Sequence, residues 1–193
     1  MATRVGVVHG RFQPFHNEHL IYAMEAFTRC DFLFVGITNP DASEMAFHAS
    51  NPHRSRETAN PLAYWQRSIL IDSALREAGV PGDRFCIVPF PLNHLALLGA
   101  YVPLDARFYM TIYDDWGREK RDLLVSFGLD VEVMWERDER AKGVTATLVR
   151  QRICAGELWE MLLPPAVAAT MKAQSLDIQI RVLTEAATSS AKV

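Results

Sequence analysis

Two histidines three residues apart, His16 and His19, follow the apolar segment VGVVHG near the beginning of the sequence. At that spacing both imidazoles lie on one face of a first helical turn. The N-terminus of a helix carries free N–H groups and a partial positive charge, which together attract phosphate. Gly10 and Arg11 precede the pair, and a guanidinium can grip phosphate with two hydrogen bonds. The pattern predicts a phosphate site in which the imidazoles are hydrogen-bond donors.

Two other interpretations of the histidine pair stay open on the residues alone. Either histidine by itself would be typical of a structural position in the core or on the surface. A metal site would need a third ligand, for which His48, His53 and His94 are available, but the sequence has no HExxH or CxxC spacing. No metal ligand is therefore assigned.

The elements that must position these residues alternate between strands and helices. Buried strands are predicted from five apolar runs, RVGVVHG, DFLFVGI, RFCIVPF, ARFYMTI and DVEVMWE. Helices are predicted in NEHLIYAMEAFTRC with Asn17 as N-cap, LAYWQRSILIDSALREAG, DDWGREKRDLLVSFG, TATLVRQRICAG and LWEMLLPPAVAATMKA. This alternation predicts an α/β fold, a doubly wound parallel five-stranded sheet with C-terminal helices. Ligands in such folds bind beyond the carboxyl ends of the strands, where the histidine segment falls.

The length of the chain, 193 residues, suits one domain. We assign that domain to residues 1–174. Residues 175–193, which end in the small and polar stretch LTEAATSSAKV, are interpreted as a frayed tail or the start of a linker. Residues 38–61 carry many turn-forming residues and no clear period, which indicates a long loop of the kind that is often functional.

The composition limits the class of partner and the compartment. The 20 basic and 23 acidic side chains give a net charge of −3, so no nucleic acid or membrane partner is expected. The three cysteines are far apart and form no CxxC pair, which fits a reducing, cytoplasmic compartment. The apolar stretch at the N-terminus is too short for a signal peptide or a membrane span.

Several motifs resemble those of one enzyme superfamily over about residues 4–172. GRFQPFHNEHL resembles the HxGH signature of the nucleotidylyltransferases, in the form found in archaeal-type NMN adenylyltransferases. VTATLVR at 144–150 is similar to their second signature, ISSTxxR, and NPLAYWQR at 60–67 is similar to their NPFTxxER. The resemblance implies a Rossmann-like nucleotidylyltransferase fold. It also implies a reaction in which a phosphate or phosphonate oxygen attacks the α-phosphorus of a nucleoside triphosphate and pyrophosphate leaves.

The resemblance also implies roles for individual residues. His16 and His19 stabilise the transition state, and Arg150 neutralises the leaving pyrophosphate. Arg67 grips the phosphate of the acceptor. The nucleotide is bound by a further set of residues: Gly10, Arg11, Phe12, Thr145 and Thr147. Mg²⁺ is expected to arrive on the triphosphate, because no dedicated carboxylate cage is visible in the sequence.

The base and the acceptor are harder to assign. TIYDDWGREKRDLL at 111–124 resembles the GDDW segment of glycerol-3-phosphate cytidylyltransferases, which implies that Asp114 and Asp115 bind the nucleotide and that Trp116 contacts the acceptor. An aspartate can accept a hydrogen bond from the amine of cytosine or of adenine, so this motif does not distinguish CTP from ATP. Both aspartates would also be typical of an ordinary helix N-terminus.

The long loop adds His53 and Arg54 as candidate acceptor ligands, although a solvated basic loop is an equal alternative. The overall pattern resembles the cytidylyltransferase domain of the fosfomycin pathway, which transfers CMP to 2-hydroxyethylphosphonate. We therefore expect CTP-dependent transfer to a small phosphonate. NMN adenylyltransferase activity and a non-catalytic nucleotide sensor remain the alternatives. A homo-oligomer and fusion to a C-terminal domain also stay open.

Glu18 departs from the superfamily signature, which has glycine at this position. A carboxylate beside a polyanion is unfavourable, because like charges repel. We therefore expect the Glu18 side chain to face solvent or a basic partner, with Arg11, Arg54 and Arg56 as the candidates.

Overall fold

The computed structural model describes residues 4–41, 57–141 and 143–190. Its five strands are β1 (Val5–Gly10), β2 (Phe32–Thr38), β3 (Phe85–Phe90), β4 (Arg107–Ile112) and β5 (Asp130–Glu136). The α-helices are α1 (Asn17–Phe27), α2 (Tyr64–Glu77), α3 (Asp115–Ser126), α4 (Ala146–Ala155), α5 (Pro165–Ala173) and α6 (Leu176–Ser190). Short 3₁₀ turns at Glu57–Ala59, Leu95–Ala100, Glu139–Ala141 and Glu160–Leu162 complete the described elements.

All five strands are parallel and lie in the order β3-β2-β1-β4-β5. The chain thus builds outward from β1 to β3 and then returns to the other side of β1 with β4. This order confirms the predicted doubly wound sheet. The reversal makes the gap between the carboxyl ends of β1 and β4 a topological switch point, the usual place for a ligand.

The strands β1 and β4 separate early on their way to that edge. Their register holds only from Gly6 opposite Arg107 to Val7 opposite Phe108. The hydroxyl of Tyr22 on α1 enters beyond this point, where it donates to the carbonyl oxygen of Tyr109 at 2.7 Å and accepts from the backbone N–H of His9 at 3.2 Å. The Tyr22 side chain therefore bridges β1 and β4 where the backbone hydrogen bonds between these strands have ended, and it keeps the two strand ends apart at the switch point.

The core consists of two apolar layers, one on each face of the sheet. Side chains alternate along β1, so that Val8 packs into the layer formed with α1, α2, α4, α5 and α6, while Val7 packs into the layer beneath α3. Both valines are fully buried, as expected for a central strand covered on both faces.

The C-terminal region differs from its prediction. Residues 176–190 form the helix α6 rather than a frayed tail or linker. Leu176 and Ile180, four residues apart, are buried, and the amide of Gln179 donates to the carbonyl oxygen of Pro61 at 2.7 Å. The small and polar residues at the end of this segment favour a tail, whereas the apolar i, i+4 pair at its start is what packs as a helix.

Two further predictions can be compared with the described residues. The three cysteines, Cys30, Cys86 and Cys154, are free thiols, as expected. No helix in residues 4–41, 57–141 and 143–190 combines the length and the apolar character needed to cross a membrane.

Candidate active site

A cavity of about 180 Å³ lies at the switch point, between the start of α1, the ends of β4 and β5 and the start of α4. The residues that line it come from both sequence motifs and from the strand ends: His16, Glu18, His19, Tyr22, Thr111, Tyr113, Trp135, Val144 and Thr145. The fold thus brings the histidine segment and the distant VTATLVR segment into one site, as the resemblance implies.

The two imidazoles stack on each other at the entrance to α1. Their ring centroids are 3.5 Å apart with 19° between the planes. His16 is the N-cap, and its backbone N–H donates to Nδ1 of His19 at 3.3 Å. Because Nδ1 of the neutral His19 ring is the acceptor, the proton lies on Nε2, which becomes a hydrogen-bond donor. Asn17, the predicted N-cap, is instead the first helical residue, and its side chain binds the carbonyl oxygen of Met161.

Both imidazoles are neutral near pH 7. Burial lowers the pKa of His16 from 6.5 to about 3. The pKa of His19 also falls well below 6.5, chiefly through burial and then because a protonated His19 would be repelled by a protonated His16 and by Arg11. The histidines therefore contribute hydrogen bonds, and the positive charge needed by a triphosphate must come from arginines and helix N-termini.

Phe12 packs against the His19 ring, and Gly10 leaves room for Phe12. Phe12 has a left-handed backbone (φ 52°) and is buried, and its ring meets that of His19 edge-on at 4.9 Å. A Cβ at Gly10 would lie 2.7 Å from the Phe12 ring, so only glycine allows this approach. The structure thus places Phe12 in the core beneath His19, where it positions the imidazole, and not among the residues that line the cavity.

The start of α4 provides the second half of the site. Thr145 is its N-cap, with Oγ1 accepting from the backbone N–H of Leu148 at 3.2 Å. Arg150 donates from Nη1 to the carbonyl oxygen of Gln13 at 2.7 Å and from Nη2 to Oγ1 of the exposed Thr147 at 3.3 Å. Burial lowers the pKa of Arg150, but an arginine stays protonated. Arg150 thus ties α4 to the loop that carries the histidines and adds a cation there.

Arg67 has a different position from the one that the resemblance implies. It is buried, and it donates to the carbonyl oxygens of Arg11 at 3.0 Å, Thr38 at 2.8 Å and Asn39 at 2.7 Å. A longer bond reaches the carbonyl oxygen of Ala63 at 3.4 Å. Burial lowers its pKa to about 10, so it remains a cation. Arg67 holds the loops that follow β1 and β2 together through these backbone carbonyl oxygens. Its expected contact with the phosphate of the acceptor stays a prediction.

The DDW segment forms the beginning of α3. Oδ1 of Asp114 caps α3 by accepting from the backbone N–H of Gly117 at 2.8 Å. Asp115 pairs with Arg118 at 2.8 Å, and its side chain is 91% exposed. Trp116 packs half-buried against the layer beneath α3. The contacts of Asp114 and Asp115 are typical of a helix N-terminus, and none of the three side chains lines the cavity. Their binding of nucleotide and acceptor stays a prediction. His53 and Arg54 lie outside the described residues.

An aromatic wall of the cavity is missing from the sequence prediction. Trp135 in β5 donates from Nε1 to the hydroxyl oxygen of Tyr113 at 2.8 Å, and the guanidinium of Arg137 lies 5.1 Å from the Trp135 ring. Both aromatic residues stand at the carboxyl ends of neighbouring strands. Because ligands bind at that edge of the sheet, their positions in the sequence could have identified them as site residues. Tyr22 follows His19 by three residues on α1, and this spacing is a second such signal.

Glu18, the departure from the superfamily signature, is one of the residues that line the cavity. Its side chain reaches across to Gly143, where an added Cβ would collide with Oε1 of Glu18. Val144 and Thr145 line the same cavity as Glu18. Arg54 and Arg56, two of the expected partners of this carboxylate, lie outside the described residues, so its expected pairing with an arginine stays a prediction.

The sequence profile of the Cytidylyltransferase-like family matches residues 7–152, most of the chain. The chain belongs to this family. It is 44% identical to the phosphonoformate cytidylyltransferase of Streptomyces viridochromogenes over 91% of this chain and 95% of that protein. It is 29% identical to the nicotinamide-nucleotide adenylyltransferase of Thermococcus kodakarensis, over 84% of this chain and 79% of that one.

Solved structures agree with the fold. A bifunctional NMN adenylyltransferase/ADP ribose pyrophosphatase from Francisella tularensis aligns with a TM-score of 0.59 at 17% identity, over 100% of this chain and 57% of that one. A putative nicotinate-nucleotide adenylyltransferase from Vibrio parahaemolyticus aligns at 0.56 and 12% identity, over 93% of this chain and 96% of that one. These likenesses confirm the α/β fold of this member of the cytidylyltransferase-like family.

Proposed function

We propose that this chain transfers CMP from CTP to a small phosphonate with release of pyrophosphate. The observation that carries the proposal is one cavity lined by His16, His19 and Thr145, with Arg150 bonded to the carbonyl oxygen of Gln13 in the loop before the histidines. Two imidazole donors, a helix N-terminus and a fixed cation are the groups that stabilise a phosphoryl transition state. The 44% identity to a phosphonoformate cytidylyltransferase supports CTP and a phosphonate over ATP and NMN.

The reaction needs positioning and charge more than it needs a base. A phosphonate oxygen, already an anion, attacks the α-phosphorus of CTP, and the bond from that phosphorus to the bridging oxygen of pyrophosphate breaks. The Nε2–H of His19 donates to the negative charge that builds on the transferring group. Arg150 and the N–H groups at the start of α4 hold the charge of the leaving pyrophosphate. No proton transfer by a strong base is required.

Magnesium is part of the proposal as a companion of the triphosphate. In residues 4–41, 57–141 and 143–190, no three His, Cys, Asp or Glu side chains cluster as metal ligands would. We therefore propose that the Mg²⁺ ion is held mainly by phosphate oxygens and water. When bound, the ion would neutralise part of the phosphate charge. A cytoplasmic location also belongs to the proposal, supported by the three free thiols.

Pyrophosphate release tests the proposal. Each of the four nucleoside triphosphates is combined with phosphonoformate, 2-hydroxyethylphosphonate or NMN, with the reaction lacking acceptor as the control. We expect release with CTP and a phosphonate. Release with only ATP and NMN would refute the proposal in favour of adenylyl transfer. Tight nucleotide binding without turnover of any pair would refute it in favour of a nucleotide sensor.

A further inference from the structure

The Glu18 carboxylate is a hydrogen-bond acceptor that lines the cavity. No described residue forms a hydrogen bond or ion pair with it, although it lies against Gly143. Several of its neighbours in the cavity are already engaged: the Tyr22 hydroxyl bridges β1 and β4, the Tyr113 hydroxyl accepts from Trp135, and Oγ1 of Thr145 caps α4. Glu18 is also the one acidic residue among the described lining residues.

The cavity that Glu18 lines suits a flat ring. Its walls include Trp135, Tyr113 and Val144, which are aromatic or apolar. Its volume of about 180 Å³ is below the roughly 300–1,000 Å³ of pockets that enclose a whole drug-sized ligand, so it holds part of a nucleotide. A carboxylate beside phosphate groups would be repelled, which leaves the nucleoside end of CTP as the part that meets Glu18.

We propose that Glu18 selects cytosine by accepting a hydrogen bond from its exocyclic amine. The inference rests on the proposed function, since it names how the same site reads its nucleotide. An ionised carboxylate only accepts hydrogen bonds, and the amine of cytosine donates to it. Uracil presents a carbonyl oxygen at the same ring position, so two acceptors would face each other and UTP would be rejected. The residue that departs from the glycine of the superfamily signature thereby becomes the determinant of base choice.

Equilibrium binding of CTP, UTP and 2′-deoxyCTP, measured by titration calorimetry, tests the inference independently of turnover. The variants are Glu18→Gln, which keeps the shape and removes the charge, and Glu18→Gly, which restores the superfamily residue. Glu185→Gln, an exposed substitution on α6, is the matched control, and circular dichroism checks the fold of each variant.

Wild type and the Glu185 control are expected to bind CTP more tightly than UTP. Both Glu18 variants should lower the CTP-to-UTP affinity ratio by roughly 10- to 100-fold, the usual loss for one charge-assisted hydrogen bond. An unchanged ratio in both variants would overturn the inference. A change confined to the ratio of CTP to 2′-deoxyCTP would also overturn it, because it would place Glu18 on the ribose.

The two proposals fail in different ways. CTP-selective binding that depends on Glu18, without transfer to any phosphonate, would refute the proposed function and leave the role of Glu18 intact. Transfer to a phosphonate with no dependence of base choice on Glu18 would refute only the inference.

Discussion

Mild acid is expected to destabilise the folded protein because His16 is buried as a neutral imidazole. Its pKa is about 3 in the fold, against 6.5 for the ordinary group. Between these values the unfolded chain binds a proton that the folded chain refuses, so the free energy of unfolding falls as the pH drops below 6.5. The contribution of His16 is fully present above pH 6.5 and is lost progressively in acid.

The size of this effect follows from the pKa difference. One proton per histidine corresponds to a slope of about 1.4 kcal/mol per pH unit, so His16 removes about 2 kcal/mol on going from neutral pH to about pH 5. His9 and His19, whose pKa values burial also lowers well below 6.5, change stability in the same direction. Most carboxylates titrate nearer pH 4, so the window between about pH 5 and 6 reports chiefly on the imidazoles.

Urea denaturation at several pH values in that window measures the slope. We expect His16→Asn to reduce the slope by about one proton, or 1.4 kcal/mol per pH unit, relative to wild type. The double variant with His9→Phe should reduce it by about two protons. Comparing slopes removes any constant effect of the substitutions on stability. An unchanged slope in His16→Asn would refute the burial of a neutral imidazole at the start of α1.

Four further predictions follow from single contacts. His19→Ala should lower turnover by roughly two to three decades in the pyrophosphate assay, with an unchanged circular dichroism spectrum, because one transition-state donor is lost. Arg150→Ala should act similarly, through the leaving pyrophosphate. Tyr22→Phe removes both hydroxyl hydrogen bonds between β1 and β4 and should lower the free energy of unfolding by about 1–3 kcal/mol in urea titration. His9→Phe should raise that free energy by about 1 kcal/mol. Both imidazole nitrogens of His9 are buried without a hydrogen-bond partner among the described residues, and a phenyl ring keeps the 4.5 Å stack on Phe90.

Each of these predictions has a contrary outcome. Near-normal turnover in either the His19 or the Arg150 variant would reject the assigned role. A Tyr22→Phe protein as stable as wild type would mean that its hydroxyl does not hold the two strands. A destabilised His9→Phe protein would mean that the imidazole has a hydrogen-bond partner in the folded chain.

The sheet was predictable from the sequence because each parallel strand is covered on both faces. Such strands are nearly continuous apolar runs, and RVGVVHG and DFLFVGI are clear examples. The helix α6 was not predicted, because its buried pair Leu176 and Ile180 stands in a segment that ends in small and polar residues.

The candidate site was predictable where a motif carries the chemistry and not where tertiary contacts decide it. His16, His19 and Thr145 come together as the two signatures imply. The clamp by Arg67 depends on which carbonyl oxygens the loops after β1 and β2 present to it, and no local pattern reveals these. The side chain of Asp114 could cap α3 or bind a base, and only the fold decides between them.

The aromatic wall depends on strand register as well as on sequence. Tyr113 and Trp135 meet across the ends of β4 and β5, whose register shifts between Met110 and Thr111. A one-residue shift reverses which face a side chain occupies, so the contact could not be derived from alternation alone.

The phosphorus NMR spectrum of the reaction product tests the central claim most directly. Protein, CTP, Mg²⁺ and phosphonoformate are incubated together, with the Arg150→Ala protein as the control. We predict a pair of coupled phosphorus signals, from the phosphonate and the α-phosphate joined through one oxygen, together with free pyrophosphate. Pyrophosphate with free CMP and unchanged phosphonate, or CTP and phosphonate that both stay unchanged, would contradict the claim.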